Sequence, residues 1–185
     1  MGTSSSRAFG RRVLGMAHER LTGSLLFPDP NNLGMANSPQ DLFDVSNLPT
    51  PDFAKHLINS VKFHCGQLFY LFEEGTFMER FEAFQQSPAE EALALPLWFC
   101  HYLLILAFGK GFVVQSTRLC SPPGAEQFVQ AMHCMPDFSL FDGDPIETTQ
   151  VLCCAALYLQ CIHRRGPAYR MSWRCKLCFV RFWQK

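Results

Sequence analysis

Apolar residues recur at helical spacing in several stretches of the chain, and no stretch alternates apolar and polar residues for long enough to indicate a strand. One helix is predicted to begin at Thr50, which can cap it, with Pro51 in the first turn, and to end near Gly75. The residues of its apolar face are Phe53, Leu57, Val61, Cys65, Leu68 and Phe72. A short helix carrying Phe77, Phe81 and Phe84 is predicted next.

Two further stretches are apolar on almost every side, which is typical of helices in the centre of a protein. The first is predicted to start at a capping box formed by residues 87–90 and to run through Trp98 to Phe108, with Lys110 closing it. The second is predicted to start at Asp144, to include the apolar residues 151–158, and to end at Gly166-Pro167.

The apolar run from Ala92 to Phe108 also raises the question of a membrane span. Its 17 residues are at the lower limit for crossing a bilayer, and it contains Pro96 and His101. We therefore expect a buried central helix, and no membrane partner.

The remaining pattern completes an all-α prediction. Residues 3–21 show helical spacing after a serine-rich start, and residues 22–49 are loop-rich, with prolines and asparagines. A turn at residues 122–124 precedes a helix that carries Phe128. We predict an irregular helical bundle with two buried central helices and a long Pro/Asn-rich loop, of a size that suits one domain.

Charge is balanced overall but unevenly distributed, with 16 basic and 16 acidic residues. Residues 164–185 hold seven basic residues and no acidic one, and the first twenty residues are also basic, which leaves the middle acidic. An acidic body does not suit a nucleic-acid surface, since phosphate contacts need clustered cations. The basic end could contact nucleic acid or an acidic partner, or simply be solvated.

The nine cysteines do not have the spacing of a metal site. Cys175 and Cys178 form an isolated pair, whereas tetrahedral zinc needs four ligands, and His163 does not complete the set. An odd number of cysteines without a secretory signal favours reduced thiols inside a cell.

Catalytic groups are not predicted either. His64 and Cys65 are neighbours on a helix and point to different sides, and His101 lies in an apolar helix. Residues 109–111 lack the full phosphate-loop pattern, and Glu73-Glu74 and Glu90-Glu91 are expected to be solvated. We predict that the chain is not an enzyme and has no catalytic, cofactor-binding or metal-binding residues.

Several segments, in order, resemble the middle homology region of fungal binuclear zinc-cluster transcription factors, also called the xylanolytic-activator regulatory domain. The most similar segment is 146–160, continuing into 165–170. The other similar segments are 2–5, 9–14, 63–72 followed by Phe77, 97–112, 122–128, 131–132 and 135–137. Each is weakly specific alone, but their succession over residues 2–171 is far more specific.

The resemblance implies a nuclear protein that takes part in regulating DNA-templated transcription. It implies a partial regulatory domain at residues 1–171, of which 22–49 are loop-rich, followed by an atypical basic tail at 172–185. Family members bind DNA through a zinc cluster upstream of this region; that cluster is absent from this chain, so we expect no cofactor here. Expected partners are transcriptional co-regulators or a second copy of the chain.

The tail after Met171 departs from the family pattern, and we expect a truncated gene product that ends early in the domain. Such a truncation would leave the apolar faces around 97–108 and 151–159 partly uncovered. Two other interpretations stay open. One is a helical protein-interaction module, and the other is an enzyme or small-molecule sensor with a phenylalanine-lined pocket.

Overall fold

A computed structural model of the 185-residue chain describes residues 43, 45–114, 122–136 and 144–183, with side chains described as far as 176. Contacts divide the chain into Met1–Met35 and Ala36–Lys185, and all described residues belong to the second unit. The predicted helix at 3–21 and most of the predicted loop lie outside the described residues. The described residues form α-helices and no strand, as predicted. The helices are α1 (Pro51–Cys65), α2 (Glu74–Gln86), α3 (Pro88–Ala94), α4 (Pro96–Val113), α5 (Ala125–Cys134), α6 (Pro145–Cys161) and α7 (Arg165–Trp183).

Helix α4 is the centre of this body. Every residue from Leu97 to Gly109 is buried, and the helix contacts α1, α5 and α6. Helix α6 is the second central element, since it packs against α4 on one side and α7 on the other. The prediction of two buried central helices in mutual contact is confirmed. The faces expected to be uncovered, around 97–108 and 151–159, are largely buried instead.

Helix α4 is also long and apolar enough to cross a membrane by length and composition alone. The protein itself surrounds most of its surface, with 72% of the 18 residues buried. This burial is typical of the core helix of a folded domain, which passes the same test of length and composition.

The predicted helix from Ser87 to Phe108 is in fact two helices, α3 and α4, separated at Leu95. Pro96 has no backbone N–H to donate, and its ring disfavours helical geometry at the preceding residue, where Leu95 has φ −125°. The predicted capping box is wrong, because the Ser87 side chain accepts no cap hydrogen bond. Lys110 does not close α4, which continues to Val113.

Helix α1 is shorter than predicted and uses a different face. It ends at Cys65, and Leu68 beyond it is 78% exposed. Phe53 lies at the edge of the face and is also exposed. The buried stripe consists of Ala54, Leu57, Ile58, Val61 and Cys65. The stripe therefore begins at Ala54 and not at Phe53.

Two glycines make close backbone approaches to neighbouring elements possible. A Cβ on Gly109 of α4 would lie 2.7 Å from the Leu57 carbonyl oxygen of α1. Gly124 has φ +80°, which favours glycine, and a Cβ there would lie 2.3 Å from the Ala107 carbonyl oxygen. These contacts fix α1 and the start of α5 against α4.

Helices α6 and α7 are joined by a tight turn that the sequence did not indicate. The His163 N–H donates to the Gln160 carbonyl and the Arg164 N–H donates to the Leu159 carbonyl. With His163 at φ 60°, this is the Schellman pattern of helix termination, with histidine where glycine is usual. Gly166-Pro167 therefore lie in the first turn of α7, where a proline leaves no hydrogen bond unmade, and they do not end α6. Helix α7 continues past Met171 without a break.

Candidate functional site

A cluster of aromatic rings joins α2 to α4. Phe77, Phe81 and Phe84 are all buried and form one face of α2, as predicted. Phe77 and Phe84 lie 5.8 and 5.5 Å from the Trp98 ring, and Trp98 stacks on Tyr102 at 5.4 Å with an interplanar angle of 5°. Rings at these distances contribute more than their buried area alone. The cluster forms one wall of the site described next.

A cavity of about 300 Å³ lies where α2, α4 and the start of α6 come together. Its lining combines aromatic rings with charged and amide groups, a combination typical of small-molecule sites. Its lining residues are Tyr70, Phe72, Glu73, Thr76, Phe77, Arg80, Trp98, His101, Asp144, Ile146, Glu147 and Gln150. Phe72 and Phe77 are the phenylalanines of this lining.

An ion pair between α2 and α6 forms part of the cavity wall. Arg80 Nη1 donates to Glu147 Oε1 at 2.7 Å, and the side chains are 35% and 16% exposed. Burial raises the pKa of Glu147, although the Arg80 guanidinium acts in the opposite direction. Sequence reasoning had placed Glu147 in the cap of α6, where Asp144 alone accepts a hydrogen bond, from Ile146 N.

His101 faces the core and is a poor candidate for a catalytic base. The residue is 2% exposed, its ring lies edge-on to Phe77 at 5.4 Å, and its Nε2 is 3.8 Å from the Cys154 sulfur. Burial lowers its pKa to about 4, despite a hydrogen bond to the Leu71 backbone. The imidazole is therefore neutral at physiological pH and acts as a core residue.

Trp98 leaves one polar atom without a partner. Its indole Nε1 is buried and makes no hydrogen bond to the described residues. An unpaired donor of this kind costs about 1–3 kcal/mol, so an acceptor brought to it would be stabilising. Trp98 is also part of the cavity wall.

The other residues considered from the sequence are dispersed over the fold. His64 is exposed and stacks on Phe112 at 4.6 Å, while its neighbour Cys65 is buried, so the two do point to different sides. Residues 109–111 lie within α4, and Lys110 donates to Gln127 Oε1 of α5 at 2.9 Å, so they do not form a phosphate loop.

The two acidic pairs behave differently from each other. Glu73 caps α2 by accepting from Gly75 N and Thr76 N, and hydrogen bonds from Thr76 and Gly75 hold its pKa below the ordinary value. Glu74 forms an ion pair with Lys62. Glu90 is exposed, as expected. The cap at Glu73 could have been recognised, because glutamate three residues before Thr76 can reach the free N–H groups of a first turn.

The described cysteines are dispersed over several helices. Within the described residues, no group of three or more histidine, cysteine or acidic side chains is close enough to hold a metal ion. His163 is exposed in the α6–α7 turn, and the side chain of Cys178 lies outside the described part. The structure does bring Cys175 next to Cys153, at 3.7 Å between the two sulfurs. Sequence reasoning missed this pair because the two residues lie on different helices.

Helix α7 presents a face that is both basic and aromatic. Ala168 and Met171 are buried against the body, while Tyr169, Arg170, Trp173 and Arg174 are exposed. The Lys176 ammonium lies 5.5 Å from the centre of the Trp173 ring, a cation–π contact. Arg170, Arg174 and Lys176, three residues of the predicted basic end, are thus on the exposed side of α7.

A second exposed apolar region includes the last turn of α1 and the residues after it, where the sequence predicts that the helix continues to Gly75. Phe63, Leu68 and Tyr70 are each more than 70% exposed. Rings and aliphatic side chains this accessible are typical of surfaces that contact other proteins.

Comparisons with protein-family models, curated proteins and solved structures find no match to this chain. The resemblance to the fungal regulatory domain therefore stays a prediction.

Proposed function

We propose that this chain is a non-catalytic helical regulatory module of a fungal transcription regulator. The observation that carries the proposal is the ordered succession of segments that resemble the family's middle homology region. Two of the longest, 97–112 and 146–160, fall on α4 and α6, the central helices that contact each other. Another, 122–128, falls on the Gly124 turn and the start of α5.

Regulation by such a module needs two arrangements of the helices and a ligand or partner that binds one of them better. The Arg80–Glu147 ion pair is a contact that suits this purpose, because it links α2 to α6 beside the cavity. A partner or ligand that competes for either side chain would change how these helices are held. Family members work in the nucleus with co-regulators, and we propose the same location and kind of partner here.

The proposal is tested by fusing the full chain to an unrelated DNA-binding domain and measuring transcription from a reporter in a fungal cell. We expect reporter output to change several-fold relative to the DNA-binding domain alone. Arg80→Met should alter the size of this change, because it removes the link between α2 and α6. Glu82→Gln, an exposed site on the same helix, is the matched control and should leave it unaltered. A fusion that is folded and nuclear yet leaves the reporter unchanged would contradict the proposal.

DNA binding in the family belongs to the zinc cluster, so binding by this chain alone is expected to be weak. The exposed Arg170, Arg174 and Lys176 of α7 are the basic residues that we expect to contact phosphate, and such contacts weaken steeply as salt is raised. In a gel-shift assay we expect binding only at low salt and without sequence preference. Tight, sequence-specific binding at physiological salt would contradict this division of labour.

A small-molecule sensor is a second candidate, favoured by the cavity between α2, α4 and α6, whose lining combines aromatic rings with charged and amide side chains. The lining suits a compact ligand with an apolar or aromatic body and a hydrogen-bond acceptor. A thermal-shift screen of small aromatic acids and amides tests it, since a bound ligand stabilises the folded state. Gln150→Leu should weaken any such shift, whereas Gln160→Leu, exposed on the same helix, should not. If no compound raises the melting temperature, this candidate is excluded for that class of ligand.

A further inference from the structure

Two thiols on neighbouring helices are in contact with each other. The sulfurs of Cys153 on α6 and Cys175 on α7 are 3.7 Å apart, and both residues are partly exposed. The other described thiols differ in accessibility: Cys65, Cys100, Cys134 and Cys154 are buried, and Cys161 is exposed. Only this pair, among the described cysteines, combines a close sulfur neighbour with partial access to solvent on both residues.

The two sulfurs are held together by the packing of their helices. Helices α6 and α7 form the most extensive contact between two helices in the described part. Cys175 follows Ala168 and Met171 at helical spacing, on the stripe of α7 that faces the body. The Schellman turn at His163 fixes how α7 leaves α6, so the register of the two cysteines is set by hydrogen bonds of the backbone.

We propose that Cys153 and Cys175 are a reversible disulfide site, oxidised by a low-molecular-weight disulfide such as glutathione disulfide. A disulfide bond is about 2.05 Å long, so the sulfurs must approach by roughly 1.7 Å, which small changes in side-chain torsion provide. This inference does not depend on the proposed regulatory role.

The reaction proceeds by two thiol–disulfide exchanges. The Cys153 thiolate attacks one sulfur of glutathione disulfide, forming a mixed disulfide and releasing one glutathione. The Cys175 thiolate then attacks the Cys153 sulfur, forming the Cys153–Cys175 bond and releasing the second glutathione. The two thiol protons end on the two glutathione molecules, and the two electrons lost by the protein reduce the glutathione disulfide.

The hydrogen bond between the two thiols supports this order of attack. When Cys153 is the thiolate, it accepts a hydrogen bond from the Cys175 thiol, which lowers the pKa of Cys153 and raises the pKa of Cys175. Cys153 is thus the thiol more readily converted to the attacking thiolate. Cys175 becomes the resolving thiol once Cys153 has been modified.

Oxidation would close a covalent loop from residue 153 to residue 175. The loop contains the end of α6, the turn at 162–164 and the first half of α7, so the bond staples α7 to α6. Reduction would leave α7 held by packing alone. The site thus couples the attachment of the basic, aromatic helix α7 to the redox state of the surroundings.

The experiment incubates the reduced full chain with glutathione disulfide, then blocks remaining thiols and measures the intact mass. We expect the Cys153–Cys175 bond to remove two hydrogens and two blockable thiols. The exposed Cys161 can add one glutathione, which the Cys161→Ser variant removes from the spectrum, and dithiothreitol should reverse both changes. Cys153→Ser should abolish this product, and Cys175→Ser should stop at the mixed glutathione disulfide on Cys153. Cys161→Ser, on the same helix as Cys153, is the matched control and should form the disulfide as well as the unaltered protein. Circular dichroism confirms folding, and Cys175→Ala replaces any serine variant of Cys175 that fails to fold.

Trypsin followed by fragmentation mass spectrometry then locates the bond. Cleavage after Lys176 separates Cys175 from Cys178, and fragmentation distinguishes Cys153 from the four other cysteines of the tryptic peptide 119–164. We expect the cross-link in the peptide of Cys175, and a melting temperature raised by roughly 5–10 °C in the oxidised protein. The proposal is overturned if no disulfide forms, if Cys153→Ser forms it equally well, or if the bond involves Cys178.

Discussion

Two adjacent residues of α6, Cys153 and Cys154, meet opposite environments. Cys154 faces α4, where it is buried beside His101, and burial raises its pKa. Cys153 faces α7, is partly exposed, and has its pKa lowered by Cys175. The thiol of Cys154 is thus inert and the thiol of Cys153 reactive, because the two differ in solvent access and hydrogen bonding.

Helix α6 therefore has two roles. The inner face of α6 is part of the core around α4, and its side chains contribute by packing. Its outer face and ends carry the groups that can change: the Glu147 ion pair, the Cys153 thiol and the turn at His163. Substitutions on the two faces should therefore differ in their effect on stability.

Leu152→Ala removes a fully buried side chain from α6. We expect a loss of about 2–5 kcal/mol in the free energy of unfolding, since the cavity adds to the lost burial. Gln160→Ala, exposed on the same helix, should change it by less than about 0.5 kcal/mol. Urea denaturation followed by circular dichroism measures both. Equal losses would mean that α6 has no distinct inner face.

Lowering the pH should destabilise the folded protein through His101, which packs against the inner face of α6. In the unfolded chain His101 binds a proton near its ordinary pKa of 6.5, whereas in the folded protein it does so only near pH 4. The contribution to stability is therefore complete above pH 6.5 and is lost as pH falls from 6.5 to 4, by an amount on the order of 2–3 kcal/mol.

Denaturant titrations between pH 4 and 7 measure this loss against His101→Gln. The free energy of unfolding of the variant should depend much less on pH over that range. Titration of the carboxylates contributes equally to both proteins, so it does not affect the comparison. Parallel curves for the two proteins would show that His101 is solvated in the folded state.

Glu147→Gln weakens the link between α2 and α6. The pair is partly exposed, so we expect a loss of about 1 kcal/mol, below that of a fully buried ion pair. A double-mutant cycle with Arg80→Met isolates the interaction, and the coupling should fall as salt is raised. Additive effects of the two substitutions would show that the ion pair contributes nothing.

His163→Gly tests the turn that ends α6. The left-handed conformation costs a non-glycine residue free energy, so the substitution should stabilise the protein by about 0.5–1 kcal/mol. Thermal unfolding measures it, and Gly166→Ala, in the open first turn of α7, serves as a comparison at a site with no Cβ obstruction. Destabilisation by glycine at 163 would contradict the assigned turn.

The sequence predicted the fold class and the two central helices because apolar residues surround Trp98 and Tyr158 on every side. The predicted helix boundaries were wrong where a boundary depends on a single residue. Pro96 divides a pattern that looks continuous, and His163 ends α6 in a conformation that usually signals itself by glycine. The candidate site was less predictable, since Arg80 with Glu147 and Cys153 with Cys175 are joined by packing between helices far apart in sequence.

The contrast between the two faces of α6 is tested most directly by measuring how fast each thiol of the folded, reduced protein is alkylated, followed by peptide mass spectrometry. We predict that Cys161 reacts first, that Cys153 follows, and that Cys154 reacts only at the rate of global unfolding. Alkylation of Cys154 as fast as its neighbour Cys153 would contradict the account.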